Sequence, residues 1–125
     1  MSFNQKYQEY LDDLSYSNSI LESEKRAHRF LVAMGLVAED LHQCEQNNII
    51  QGTLVDITFA HLMEKVPDSH GKSADSRKAW VQRQDDYVTS IRESATAKAD
   101  YEYLRRILKV FEEAHTLNRQ KARAP

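Results

Sequence analysis

Four cations crowd the chain's single tryptophan: Lys72, Arg77, Lys78 and Arg83 lie around Trp80. Further on, Arg105, Arg106 and Lys109 follow Tyr101 and Tyr103, and Arg119, Lys121 and Arg123 make a basic tip. Cations that track phosphates, interleaved with rings on which bases stack, are what sequence-tolerant binding of a single strand requires. The same residues also suit a plainer role, because Trp80 and the tyrosines can fill a helix interface and Lys or Arg on a helix can serve solubility. No comparable arrangement points to catalysis. The three glycines are scattered and build no phosphate loop. None of the serines sits in a nucleophile elbow. Cys44 and His42 are two residues apart and point to different faces of a helix. His61 and His70 straddle a turn without a metal-ligand pattern beside them. The acid pairs Asp12-Asp13, Asp85-Asp86 and Glu112-Glu113 are adjacent, so their side chains diverge and read as solvated faces. No catalytic residue, metal or cofactor is expected.

Those cations have to be held by something, and composition says by helices. The 125 residues suit one domain, with 41% hydrophobic and 29% charged side chains. Three glycines and two prolines are too few for the turns of a sandwich or barrel. One cysteine excludes an internal disulfide and suits a reducing compartment. No apolar run nears the roughly 20 residues of a membrane span, and the N-terminus lacks a signal-peptide core. A cytoplasmic protein with no membrane partner is the expectation. The net charge of −2 excludes a surface coated in positive charge. Its distribution is uneven, however: residues 1–24 carry five acids against Lys6, while residues 71–125 carry twelve bases against eight acids. Such an acidic head and basic tail can serve self-association or confine anion binding to one region.

Hydrophobic spacing predicts an all-α chain with a long C-terminal helix and shorter N-terminal ones, in a helical bundle or coiled-coil-like oligomer. Within a single domain, residues 1–52 hold the N-terminal helices, with breaks at residues 15–19, at Gly35 and at Asn47-Asn48. Residues 53–66 form a helix on which Val55, Phe59, Leu62 and Val66 share a face, although Val55, Ile57 and Phe59 also alternate as in a strand. Residues 67–72 are a loop. Residues 73–120 read as one helix, capped by Ser73, Asp75 or Ser76. At 1.5 Å per residue a helix of about 45 residues is roughly 70 Å long. A compact monomer of this size is only about 28 Å across. Either the helix bends at the small residues 94–99, or other subunits cover it. A homo-oligomer is therefore expected, with Val88, Ile91, Leu104, Ile107, Leu108 and Phe111 at the subunit interface.

The second half resembles the phage recombination mediators of the UvsY type. The resemblance covers about residues 53–120. It rests on the loop Ser69-His70-Gly71-Lys72-Ser73, the helix entry Arg77-Lys78-Ala79-Trp80, and the segments Ala99-Asp100-Tyr101-Glu102-Tyr103-Leu104-Arg105-Arg106 and Phe111-Glu112-Glu113-Ala114-His115-Thr116-Leu117-Asn118-Arg119. It implies a small, helical, ring-forming protein without catalysis. Such a protein binds single-stranded DNA, displaces the single-strand-binding protein and loads a RecA-like recombinase in the host cytoplasm. That family carries basic residues on the helix before the loop, where this chain has only His61 and Lys65. The phosphate contacts then fall past the loop, on Lys72, Arg77, Lys78 and Arg83, with Trp80 and Tyr87 as stacking platforms. The alternative is a helical protein-interaction module, such as an inhibitor of a host protein or an assembly adaptor, that never touches nucleic acid.

Overall fold

The structure, a computed structural model, describes residues 2–14 and 19–123. Among them are four α-helices and no strand: α1 (Phe3–Asp12), α2 (Ile20–Met63), α3 (Ala74–Gln82) and α4 (Asp85–Arg123), with one 3-10 turn at Asp68–His70. The ambiguous stretch around Val55 is helical. No helix among the described residues is long and apolar enough to cross a membrane.

Local chemistry explains the helix starts. Ser2 and Gln5 form a reciprocal capping box that satisfies backbone N–H groups at the start of α1. Ser19 accepts from the Glu22 N–H and begins α2; residues 15–18 of the expected break lie outside the described residues. Ser73, one of the three candidate caps, accepts from the Ser76 N–H at 3.1 Å.

Two boundaries differ from the sequence reading. First, α2 runs 44 residues without stopping at Gly35 or Asn47-Asn48. A glycine inside a helix costs only about 1 kcal/mol against alanine, which the buried Phe30, Ala33 and Val37 around Gly35 readily offset. The helix stops instead at Met63, shortly before Pro67, which cannot supply a helical N–H. Second, the expected helix over 73–120 is broken at Arg83-Gln84. Arg83 Nε donates to the Ala79 carbonyl and Gln84 Nε2 to the Trp80 carbonyl. These side chains satisfy carbonyls that the end of α3 leaves open. Backbone bonds tighten there to Arg83 N–H on Trp80 and Gln84 N–H on Val81. Asp85 and Asp86 then open α4 with negative charge at its positive end. Between the halves, Gly71 adopts φ 89°, a conformation that suits glycine, and it joins the 3-10 turn to α3.

The chain forms two compact units, Met1–Gln43 with Asp100–Pro125, and Cys44–Ala99. In the first, Tyr7, Phe30, Leu104 and Phe111 are fully buried, with Ala33 and Val37. Phe111 meets Tyr7, Tyr10 and Phe30 with ring centroids 5.9–6.1 Å apart. His115 Nδ1 donates to the Ala27 carbonyl at 2.7 Å, tying α4 to α2. In the second unit, Leu62, Val66 and Val81 form the core, with Phe59, Met63, Trp80 and Tyr87 packed on it.

Candidate nucleic-acid interface

The five residues singled out for nucleic acid all belong to the second unit, but they divide into two kinds. Lys72, Lys78 and Arg83 are exposed. Arg77 is not available: its Nη2 donates to the Met63 carbonyl at 2.6 Å, satisfying an open carbonyl at the end of α2. Adjacent helix residues point about 100° apart, so Arg77 faces inward and Lys78 outward. Trp80 is half-buried on the Leu62, Val66 and Val81 core, with the His70 ring 6.3 Å away. Tyr87 meets Phe59 edge to face at 5.9 Å. Both expected stacking platforms are half-buried against the core of the second unit, and one nitrogen of the Arg77 guanidinium is engaged in clipping α3 to the end of α2.

The interface residues divide likewise. Leu104, Ile107 and Phe111 are buried in the first unit's own core, which leaves them no surface for another subunit. Val88 and Leu108 are half-buried, and only Ile91 is exposed. A large apolar surface appears elsewhere and was missed: Ile49, Ile50, Leu54 and Ile57 on the outer face of α2 are all exposed. Its signal in the sequence was the lack of charge, since residues 46–55 hold no acid or base.

The ion pairs gather on the N-terminal part of the first unit. There the acidic head pairs internally. Lys6 bonds Asp40 at 2.6 Å, Arg29 bridges Glu9 at 3.1 Å and Asp13 at 3.3 Å, and Arg26 reaches Asp13 at 3.6 Å. In the second unit Lys65, Lys72, Lys78, Arg83, Arg92 and Lys98 form no ion pair among the described residues. Each unit nonetheless has one acid more than its bases, eleven against ten and eight against seven. The basic tail is thus not a basic body in space.

The rest of the basic sequence lies on α4 in the first unit. Arg105, Arg106 and Lys109 line a shallow open depression of about 310 Å³ together with Glu102, and Arg105 sits 5.6 Å over the Tyr101 ring. Arg119 and Arg123 line a second depression of about 220 Å³ with Thr116 and Gln120. Both are surface hollows between neighbouring side chains of one helix. Among the described residues, no three His, Cys, Asp or Glu side chains gather to hold a metal ion. Comparison with protein families, characterised proteins and solved structures finds no match to this chain.

Proposed function

We propose that this protein works by binding rather than catalysis, as a recombination mediator. In this reading it holds single-stranded DNA and helps a RecA-like recombinase replace the single-strand-binding protein. The observation that carries the reading is that Lys72, Lys78 and Arg83 stand exposed with no acidic partner among the described residues, close to one another along the loop and α3. Lys72 and Lys78 need break no ion pair to meet a phosphate, and Arg83 gives up at most its bond to the Ala79 carbonyl. The resemblance of residues 53–120 to the mediators adds direction to that chemistry.

Binding driven by phosphate contacts releases counterions and weakens steeply with salt. Fluorescence anisotropy of a labelled single-stranded oligonucleotide, at low and moderate salt, tests the proposal. Saturable binding at low salt is expected, lost when Lys72→Ser and Lys78→Ser are combined, with thermal stability unchanged. Arg77→Ala does the opposite in this reading, lowering stability while leaving the intrinsic affinity of folded protein alone. No binding at either salt sinks the mediator reading.

A second reading is favoured by a separate observation. The exposed apolar face of α2 suits a protein-docking module. A complex with a host protein that survives charge reversal at Lys72, Lys78 and Arg83 would support it over the first.

A further inference from the structure

We propose that the outer face of α2 in the second unit is a seam for a second copy of this chain, with the two α2 segments running antiparallel. Four large aliphatic side chains there are uncovered: Ile49 is 64% exposed, Ile50 56%, Leu54 42% and Ile57 58%. Taking roughly 180 Å² for a fully exposed isoleucine or leucine, they leave on the order of 400 Å² of apolar surface, in the range where patches on monomers mark contacts. Two such faces give about 800 Å². The exposed margins at Gln46, Asn47, Thr53 and Ala60 bring the total close to the roughly 1,200 Å² at which specific interfaces begin.

Spacing selects a helix as the occupant. Asn47, Ile50, Leu54, Ile57 and His61 follow one another by three, four, three and four residues. That is the repeat of a coiled-coil seam, apolar in the middle and polar at both ends. Charge selects a copy of the same chain. Across residues 46–63 the only formally charged side chain is Asp56. A two-fold contact sets a patch against itself, which a charged patch resists and a neutral one permits. A partner recognised by opposite charge would find almost nothing on this face to read.

The direction follows from symmetry along the helix. Leu54 lies midway between Asn47 and His61, and Ile50 and Ile57 flank it almost evenly. An antiparallel pair about Leu54 sets Ile50 against Ile57 of the second copy and Asn47 against its His61. It also draws Glu45, Asp56 and Glu64 away from their own counterparts, which a parallel pair would put in register.

This inference does not rest on DNA binding, and its test is separate. Light scattering after size exclusion should give twice the chain mass at tens of micromolar. Ile50→Glu or Ile57→Glu should each raise the dissociation constant at least tenfold, with the helical circular dichroism unchanged because both residues face outward. Direction is read by disulfide capture in a Cys44→Ser background. Leu54→Cys should cross-link to itself and Ile57→Cys should not, whereas mixed Ile50→Cys and Ile57→Cys chains should join. A wild-type protein of single-chain mass overturns the proposal, as does an oligomer untouched by both glutamates. Equal self-capture at Leu54 and Ile57 overturns the antiparallel direction. A single-chain protein that still binds the oligonucleotide would overturn this seam and leave the mediator reading standing.

Discussion

Asp40 fastens the first helix to the second. Its Oδ2 accepts from Lys6 Nζ and from the hydroxyl of Tyr7, whose ring is wholly buried. Burial pushes the Asp40 carboxyl up, but the two hydrogen bonds and the Lys6 charge outweigh it and hold the group below the ordinary aspartate value. A depressed carboxyl adds stability above its unfolded pKa of about 3.9 and loses it as pH falls through the folded value. Tyr7 works in the other direction. Burial first, and then its bond to Asp40, raise its pKa, so its contribution is complete below about 10 and fades as the solution becomes more alkaline. Tyr7→Phe should cost about 1–2 kcal/mol at neutral pH. Asp40→Asn should flatten the acid limb of stability below about pH 4. Urea denaturation from pH 2.5 to 8 checks both, and an unchanged acid limb in Asp40→Asn would remove Asp40 from the account. Nothing in the sequence marks Asp40 out, because its partners lie 34 and 33 positions away. Arg77 and Lys78 show the same limit at close range. They are neighbours of like charge, and only the packing of α3 on the end of α2 decides which becomes a clip.

At the scale of elements, periodicity was legible and punctuation only in part: the loop over 67–72 and the Ser73 cap are there, other ends are not. The inner faces were found correctly: Phe59, Leu62 and Val66 lie on one core, and Leu104, Ile107 and Phe111 are buried together on one side of α4. Their owner was misassigned, since a helical repeat says that a face is covered without saying by what. Gly35 and Asn47-Asn48 suggested ends that α2 does not have, while the true interruption at Arg83-Gln84 carries neither glycine nor proline. The glycines within α2 then become points of easy stabilisation. A Cβ added at Gly35 or Gly52 would meet nothing within 4 Å. Gly35→Ala and Gly52→Ala should each stabilise by about 0.5–1 kcal/mol through helix propensity. Thermal melts of the two single variants and the double check this, with a lower midpoint in either single variant counting against the account.

In the whole molecule, distance along the chain and distance in space diverge. The basic tail is divided between the units: residues 100–125 share a unit with the acidic head, where acids and bases nearly balance, while Lys72, Lys78 and Arg83 fall in the other. The joint is aromatic: Phe111 touches rings from both α1 and α2. Phe111→Ala should cost about 3–5 kcal/mol, enough to remove much of a small domain's stability, and a urea midpoint within error of wild type would contradict the packing described. The same joint governs how the protein is made. Residues 44–99 are a continuous stretch whose contacts can close as soon as they have been synthesised. Tyr7 and Phe30 must wait for Phe111, about 80 residues after Phe30, or roughly 4–16 s at ordinary rates of translation. Through that interval the nascent chain carries an unclosed aromatic cluster, a natural target for chaperones. A polypeptide cut short between residues 99 and 111 holds every residue of the 44–99 unit, while the unit that was begun first lacks the ring that closes it.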